Sequence, residues 1–367
     1  MISLIRVPKI CGVYMLRTIG RLDPNAVGPH ICKMKDPNID KIIRRFSDIN
    51  FSKATDRYEP NDVTCAEHIG QRKLLNSEIE FLAHCVNELA RESKSYTVVY
   101  AGAATGEHIP LLVELFKSCF KEFHLYDEPR FSKILQNFEE KNDNVKFSPY
   151  RDKSIQNGFF SEVIARKYRN NKVIFISDIR ITNDNESVER DNALQERWIL
   201  EMLPEWSMVK FRLPFPTSSR QTFHKLTQGD IVLQTWEKAR SAETRVWIPK
   251  KNIVNGLKMR VGTVEYESAM NSFNLRLRHA GYKTYLKEVN GDNECSCYDH
   301  IVERLIYYRF LKLREKYPDM FEKMFRSVSA FTSEVNRHVK APRSLKSGSQ
   351  NHISSSFGLY PPSFFSK

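Results

Sequence analysis

The sequence predicts an α/β fold, in which helices cover both faces of a mostly parallel, doubly wound sheet with a mixed edge. Apolar strands alternate with helices from residue 97 to residue 215, and this alternation is typical of parallel sheets. A glycine-rich turn, Gly102-Ala-Ala-Thr-Gly106, follows the first of these strands, as in many doubly wound domains. The last two predicted strands have no helix between them, which indicates an antiparallel edge.

The predicted elements follow one another in a simple order. Residues 66–92 predict a long amphipathic helix before the sheet, because apolar residues recur on one face. The alternating part comprises strands at 97–103, 122–127, 145–148, 172–180 and 207–215, and helices at 108–121, 130–140, 158–168 and 187–203. Two further strands are predicted at 229–236 and 243–248, and two helical regions at 262–280 and 299–327.

Composition divides the chain into three regions. Residues 1–55 predict an irregular N-terminal extension, because prolines interrupt every apolar run. Residues 56–330 predict the folded domain, which carries all the elements above. Residues 340–367 are rich in serine, proline and glycine, and we expect them to form a disordered basic tail.

Charge indicates the class of partner. The chain of 367 residues carries a formal net charge of +13. The two termini account for part of it, since residues 1–22 contribute +4 and residues 341–367 contribute +3, leaving +6 on the body. A basic protein of this kind often binds a polyanion, most commonly nucleic acid, although a basic surface kept only for solubility is the alternative. No run of about 18 apolar residues exists, so we expect no membrane span.

Cysteine usage indicates the compartment. The seven cysteines are odd in number and irregular in spacing, as in a reducing compartment. We expect a cytoplasmic protein; residues 1–22 resemble a mitochondrial targeting peptide but lack its usual serine richness. Cys295, Cys297 and His300 provide half of a metal site at most, so we interpret them as a loop and expect no metal.

The glycine turn is either a cofactor site or only a tight bend between a strand and a helix. Asp127 ends the second strand, 21 residues after Gly106, where an acid can accept hydrogen bonds from both hydroxyls of a ribose. The turn has no third glycine, which disfavours a dinucleotide and suits a cofactor without phosphates, such as S-adenosyl-L-methionine. The alternative for Asp127 is a helix N-cap.

Four charged residues indicate a catalytic site if they lie close together in the fold. Asp178 ends the fourth strand, Lys210 lies in the fifth, Glu243 begins the last, and Lys73 lies on the helix before the sheet. Each one alone is explained as a cap, an ion-pair partner or a surface lysine. If they converge, they can move a methyl group onto a hydroxyl, because a lysine beside a second cation can act as the general base and the acids can orient it.

Seven short motifs occur in an order that resembles a known family. They are YEP (58–60), GQRKLL (70–75), VVYAGAATGEHI (98–109), ISDIR (176–180), KFRLPFP (210–216), SAETR (241–245) and YE (266–267). This order is similar to that of the poxvirus-type cap-specific mRNA 2′-O-methyltransferases, which also serve as the regulatory subunit of the viral poly(A) polymerase. The resemblance extends from about residue 57 to about residue 280.

The resemblance implies a Rossmann-like fold that depends on S-adenosyl-L-methionine, and it assigns site residues. The implied catalytic residues are Lys73, Asp178, Lys210 as the general base, and Glu243. The implied methyl-donor site comprises Gln71, Tyr100, Gly102, Gly106, His108, Asp127 and Asp178. Two positions depart from the family: Thr105 replaces a proline, and Pro129 replaces an arginine, with Arg130 next to it.

The resemblance also implies a cap pocket. In the family, two aromatic rings hold the methylated guanine, and acids contact the edge of the base. Tyr58 and Phe215 match the rings and Glu267 matches one acid, whereas Thr217 replaces the other acid. The implied RNA contacts are Arg212, Ser241 and Arg245. Without the resemblance, Phe215 would be interpreted as core packing and Tyr58 as a surface turn.

We therefore expect transfer of a methyl group to the ribose 2′-OH of the first transcribed nucleotide of 5′-capped mRNA. If the chain is viral, the expected location is a viral factory or the virion. One rival is a methyltransferase for guanine N7 or ribosomal RNA, which would not require both lysines and the cap pocket. The other is an RNA-binding subunit that assists a poly(A) polymerase catalytic subunit.

Overall fold

The computed structural model describes residues 5–6, 16–17, 42–49, 69–127, 131–148, 159–180, 182–216, 221–238, 241–284, 286, 288–289, 296–322 and 325–340. The strands are β1 Ile5–Arg6, β2 Leu16–Arg17, β3 Thr97–Ala101, β4 Glu122–Tyr126, β5 Val145–Ser148, β6 Val173–Ser177, β7 Trp206–Phe211, β8 Phe223–Thr227, β9 Asp230–Val232, β10 Thr244–Pro249 and β11 Lys258–Gly262. The α-helices are α1 Gly70–Leu89, α2 Ile109–Phe116, α3 Lys133–Glu139, α4 Glu162–Lys167, α5 Asn185–Met202, α6 Lys250–Val254, α7 Thr263–Leu275, α8 Tyr298–Lys316 and α9 Val328–His338.

Seven strands form the central sheet, in the order β5-β4-β3-β6-β7-β10-β9. The first five strands in this order are parallel, whereas β10 is antiparallel to both β7 and β9. Strand β6 is buried along its whole length, as expected for a strand covered on both faces. The predicted fold class, a Rossmann-like and mostly parallel sheet with a mixed edge, is confirmed.

The helices form two layers because the crossovers run in opposite directions from the centre of the sheet. The β3-α2-β4 connection moves towards one edge and the β6-α5-β7 connection moves towards the other. Since such connections are right-handed, α2 and α5 lie on opposite faces. Helix α1 packs against α2 and α8, and α9 packs against α8, while α4 packs against α5.

The carboxyl edge of the sheet positions the candidate site. Strands β3, β4, β6 and β7 end side by side, so the residues that follow them lie at one edge. Strand β10 runs the opposite way, and its first residue, Thr244, pairs with Phe211 at the end of β7. The residues just before β10 therefore reach the same edge as the residues that follow the parallel strands.

Several elements differ from the predicted ones. Helix α9 and the antiparallel ribbon of β8 and β11 were not predicted. The short helix α6 was also missed, and β9 is shorter than the strand predicted at 229–236. Strand β11 alternates charged and apolar residues over Lys258–Gly262, a strand pattern that the prediction overlooked. Helix α9 is held by ring stacking of Phe331 with Tyr307 and Phe325.

Part of the predicted N-terminal extension packs against the sheet. Ile43 and Ile49 are buried in the main core, and Arg45 forms a β-bridge with Val232 of β9. Arg44 forms an ion pair with Glu80 of α1. Residues 42–49 therefore cover the free edge of β9, where unpaired backbone groups would otherwise be exposed.

Candidate active site

The structure brings the four predicted catalytic residues together. The Lys210 Nζ lies 3.2 Å from the Asp178 Oδ1 and 3.4 Å from the Glu243 Oε2. The Lys73 Nζ donates to the Glu243 Oε1 at 2.8 Å. The parallel ends of β6 and β7 place Asp178 and Lys210, and the reversed direction of β10 places Glu243. Helix α1 contributes Lys73 from above the sheet edge.

Two further charges complete the cluster. Arg245 donates to the Asp178 Oδ1 at 2.6 Å and to the Glu243 Oε1 at 3.0 Å. Glu237 accepts a hydrogen bond from the Lys73 Nζ at 2.7 Å. Three cations thus contact three carboxylates, and this balance is what allows so many charges to be buried together.

The deep part of the cluster is fixed in its charged state. Burial lowers the pKa of Lys73, but the carboxylates of Glu237 and Glu243 outweigh burial and hold that pKa above its usual value. Burial favours a neutral Glu243, but Lys210, Lys73 and Arg245 hold its pKa well below its usual value. Lys73 therefore stays protonated and cannot accept a proton near neutral pH.

Lys210 differs from Lys73 in its contacts. Its distances to carboxylates, 3.2 and 3.4 Å, are longer than the 2.7 and 2.8 Å of Lys73. Its side chain is also slightly more exposed, 12% against 8%. Asp178 and Glu243 are similarly exposed, at 15% and 16%. The accessible side of the cluster is therefore a lysine held between two carboxylates.

The structure places Arg245, a predicted RNA contact, inside the charged cluster. The Arg245 side chain is 2% exposed, and both ends of its guanidinium contact the cluster carboxylates. Burial lowers its pKa, but Asp178 and Glu243 more than offset burial and raise it. The residue points inward because β10 pairs it with Lys210 on the adjacent strand. In this structure Arg245 orients the two acids, and its contact with an RNA phosphate stays a prediction.

Backbone conformation and close neighbouring atoms explain the two glycines of the turn. Gly102 and Gly106 have φ values of 81° and 71°, which side-chain-bearing residues rarely adopt. A Cβ on Gly102 would lie 2.9 Å from the Asp178 backbone carbonyl carbon, and one on Gly106 would lie 2.4 Å from the Leu135 side chain. The Asp127 Oδ2 accepts a hydrogen bond from the Ala104 N–H at 2.7 Å. Asp127 thus fixes the turn and does not cap a helix.

The side chains of two predicted cofactor residues contact helix α1 instead of the glycine turn. The Tyr100 hydroxyl is buried and donates to the Glu78 Oε1 at 2.6 Å. The His108 ring, also buried, lies between the Gln71 Oε1 at 2.7 Å and the same Glu78 oxygen at 3.0 Å. The side chains of Tyr100 and His108 therefore anchor α1 to the sheet through Glu78, and the place of these residues in the methyl-donor site stays a prediction. Gln71 is half-buried at the start of this network.

Phe215 is a predicted cap residue whose ring lies at the surface. Its ring is 39% exposed, so it is not core packing. The Asn185 side chain accepts from the Phe215 N–H at 2.9 Å and donates to its carbonyl at 3.0 Å. The Arg212 guanidinium lies 4.4 Å from the ring centroid. Tyr58, Thr217 and Arg130 lie outside the described residues.

Ser241 and Glu267 are the other two residues predicted to contact the cap or the RNA. Ser241 accepts a hydrogen bond from the Glu243 N–H at 3.1 Å, which shapes the turn that presents this acid. Glu267 lies half-buried on α7. Tyr266 anchors this helix, because its hydroxyl donates to the Ala242 carbonyl at 2.6 Å.

Sequence reasoning missed Arg180 and Glu237. The Arg180 side chain is 8% exposed, and its nearest acid is Asp191 at 3.5 Å. Both terminal nitrogens of Arg180 are buried without a hydrogen-bond partner in the part of the chain that the structure describes. Arg180 follows Asp178 by two residues, in the same motif. Charge balance was the available signal for Glu237, because three buried cations require a third acid.

The interpretation of Cys297 and His300 as part of a loop is wrong, because Cys297 is the N-cap of α8 and His300 lies in the first turn of this helix. The Cys297 Sγ lies 3.4 Å from the His300 Nδ1, and Cys295 lies outside the described residues. No helix within the described ranges has both the length and the apolar character needed to cross a membrane.

The chain is similar to a known protein family and to two viral proteins. A family model described as the Poly A polymerase regulatory subunit matches residues 38–340. A cap-specific mRNA (nucleoside-2'-O-)-methyltransferase of Fowlpox virus (strain NVSL) is 28% identical over 221 residues, which are 57% of this chain and 68% of the relative. A protein of the same name from Myxoma virus (strain Lausanne) is 26% identical over 263 residues, 67% of this chain and 72% of the relative.

A solved structure is also similar, that of bluetongue virus VP4, which is described as a multifunctional RNA-capping production-line. The TM-score is 0.38 at 13% sequence identity, with 74% of this chain and 41% of that chain covered. The family match confirms the family that the seven ordered motifs predicted.

Proposed function

Because the chain belongs to the Poly A polymerase regulatory subunit family, we propose that it is a cap-specific mRNA 2′-O-methyltransferase. Its substrate would be the ribose 2′-OH of the first transcribed nucleotide of 5′-capped mRNA, and S-adenosyl-L-methionine would be the methyl donor. The poxvirus relatives that align with more than half of the chain carry this name.

One observation supports this proposal above the others. Lys210 lies between the carboxylates of Asp178 and Glu243 at the carboxyl edge of the sheet, next to the glycine turn. A ribosyl hydroxyl must lose its proton as its oxygen attacks a methyl group, so this chemistry requires a base. Methylation of guanine N7 requires none, and it would leave this buried cluster without a purpose.

In the proposed mechanism, Lys210 accepts the proton of the 2′-OH. Lys73 forms an ion pair with Glu243 and Arg245 forms one with Asp178, so each acid that flanks Lys210 has a second cation beside it. Asp178 and Glu243 then stabilise the ammonium group as it forms. Much of the rate would come from holding the hydroxyl oxygen in line with the methyl group.

The residues near the turn fit an adenosine cofactor. Asp127 ends β4 beside the turn, and a carboxylate oxygen that accepts one backbone N–H can accept a further hydrogen bond from a ribose hydroxyl. Gly102 lies against the Asp178 backbone, which keeps the donor side next to the catalytic acids. When it is bound, S-adenosyl-L-methionine supplies an electrophilic methyl group on a sulfonium.

The cap would bind at the exposed ring of Phe215. Arg212 covers the ring at 4.4 Å, and Tyr58 is the proposed second ring. A 7-methylguanine carries a positive charge, which strengthens its attraction to an aromatic face. Glu267 is the proposed acceptor for the N–H groups of the base.

The test is incubation with labelled S-adenosyl-L-methionine and capped RNA, followed by nucleoside analysis. We expect label only in the 2′-O-methyl group of the first transcribed nucleotide. Label in 7-methylguanosine, or equal labelling of uncapped ribosomal RNA, would overturn the proposal in favour of the rival methyltransferases. The Lys210→Ala variant is the control, since it should remove the label while the folded protein remains.

A second function is favoured by the family description. The matched family is that of the Poly A polymerase regulatory subunit, and the match covers residues 38–340. We propose that the chain also binds a poly(A) polymerase catalytic subunit. Co-purification of that polymerase with wild-type chain and with Lys210→Ala would test this role separately, because binding should not depend on the catalytic lysine.

A further inference from the structure

The β-ribbon formed by β8 and β11 carries an outward face with an unfavourable charge arrangement. Lys225 and Arg260 are directly opposite each other in the antiparallel register, and both are exposed. Side chains of directly opposite residues project from the same face. Among the described residues, neither cation has a carboxylate partner, whereas the neighbouring Lys258 pairs with Glu196 at 2.6 Å. Like charges in this arrangement destabilise a ribbon.

An exposed aromatic ring lies on the same face. The Phe223 side chain is 47% exposed, and the Arg260 guanidinium lies 3.7 Å from the centroid of its ring. Phe223 and Lys225 are two residues apart in β8, so both project outward. The face therefore combines an apolar ring with two uncompensated positive charges.

The ribbon does not need these outward residues to fold. Its inner face carries Leu226 and Met259, which are paired across the strands and pack against the main core. Both also line a cleft together with Ile199 of α5. The inner contacts fix the register, because a shift of one residue would turn these apolar side chains outward. The outward charges therefore need a reason other than the fold.

The ribbon is close in sequence to two residues of the proposed cap pocket. Strand β8 begins eight residues after Phe215, and β11 leads directly into α7, which carries Glu267. At this end of the ribbon, the Thr222 and Thr263 hydroxyls are 2.9 Å apart and tie the two strands to the start of α7. An RNA whose cap lies between Phe215 and Glu267 would thus have the ribbon beside it.

We infer that the outward face of the ribbon, Phe223, Lys225 and Arg260, binds the single-stranded RNA that follows the cap. Phosphates would lie between the two cations and relieve their repulsion, and a base would stack on the Phe223 ring. A protein partner fits less well, because an exposed ring flanked by cations resembles a single-strand platform. The inference rests on the proposed function, since it assigns a path to the RNA of that substrate.

The test compares Lys225→Gln/Arg260→Gln with wild type in binding to capped RNA and to a cap dinucleotide. We expect weaker binding of the capped RNA, and unchanged binding of the dinucleotide, which is too short to reach the ribbon. The slope of log affinity against log salt should become shallower by about 1.4, since each single-strand phosphate contact contributes roughly 0.7. Phe223→Ala should weaken RNA binding roughly tenfold, on the scale of one lost base stack.

The matched control is Lys133→Gln/Lys141→Gln, which removes two exposed lysines at and beyond α3, near the opposite edge of the sheet. This control should leave the salt slope unchanged. Thermal unfolding supplies an independent readout, because Lys225→Gln alone should keep or raise the melting temperature while it weakens RNA binding. A purely structural role would lower both.

Equal RNA affinity and salt slope for the ribbon variant and wild type would overturn the inference. So would loss of polymerase binding with RNA binding intact, because the face would then be a protein interface. These outcomes differ from failure of the proposed function, in which wild type itself would transfer no methyl group to capped RNA.

Discussion

Lys73 and Lys210 contact the two oxygens of the same carboxylate. The Glu243 Oε1 accepts a hydrogen bond from Lys73 at 2.8 Å, and its Oε2 lies 3.4 Å from Lys210. Lys73 is also held by Glu237 at 2.7 Å, so the two lysines have different environments although they share an acid. The proposed mechanism depends on this difference, because it assigns the role of the base to Lys210 and not to Lys73.

The first prediction concerns that difference. Lys210→Ala should abolish methyl transfer but leave RNA binding nearly intact. Lys210→Arg should also be inactive, because arginine does not deprotonate in proteins. Single-turnover assays with capped RNA, with binding measured in parallel, check both variants. Turnover of the alanine variant near the wild-type rate would remove Lys210 from the mechanism.

The second prediction concerns Arg245. Arg245→Met should lower the free energy of unfolding by about 3–5 kcal/mol, because it leaves Asp178 and Glu243 buried without one of their cations. The matched control is Arg326→Met, an exposed arginine whose loss should change stability by less than about 0.5 kcal/mol. Urea denaturation measures both. Unchanged stability of Arg245→Met together with weaker RNA binding would favour the phosphate-binding role.

The third prediction concerns Asp127. Asp127→Ala should weaken S-adenosyl-L-methionine binding by about 1.5–3 kcal/mol, the scale of hydrogen bonds lost to a charged group. Calorimetry measures the change, and Asp143→Ala, in the turn between α3 and β5, is the control. If Asp127→Ala binds the donor as tightly as wild type, Asp127 serves only to hold the Ala104 N–H.

The fourth prediction concerns the cap pocket. Phe215→Ala and Tyr58→Ala should each cost roughly tenfold or more in affinity for a 7-methylguanosine cap, because base stacking contributes about 1–3 kcal/mol. Uncapped RNA should be little affected. Phe159→Ala is the matched control, since its ring is 50% exposed and lies just before α4.

The same titrations test the departure at residue 217. Thr217→Asp should strengthen cap binding, since it restores the second acid of the family at the edge of the base. Wild-type protein should also prefer the methylated cap to the unmethylated one. Equal affinity for the two analogues would contradict the cap pocket and favour a general RNA substrate.

The fifth prediction concerns pH. The folded pKa of Glu243 lies below its unfolded value, so its ion pairs contribute fully above about pH 4.3 and are lost as the pH falls towards the folded pKa. The difference in unfolding free energy between wild type and Glu243→Gln should therefore shrink as the pH falls below that value. A difference that stays constant on acidification would show that Glu243 is not held ionised by the lysines.

Local sequence patterns were sufficient to predict the elements that depend on residues close together in the chain. Apolar runs alternating with helical periods predicted the five parallel strands, and the polar residues at their ends predicted Asp127 and Asp178. Only the family resemblance predicted that Lys73 lies beside the other catalytic residues, because no local signal fixes where α1 lies over the sheet.

Long-range contacts decided what the pattern missed. The sequence by itself determined the alternating elements, the glycine turn and the residue types at the sheet edge, because periodicity and strand direction are local properties. The tertiary structure decided that Arg245 turns inward, that Glu237 completes the charge balance, and that Tyr100 and His108 bind Glu78. Each of these depends on which buried charge or hydroxyl finds a partner, and burial makes an unpaired polar group too costly to leave without one.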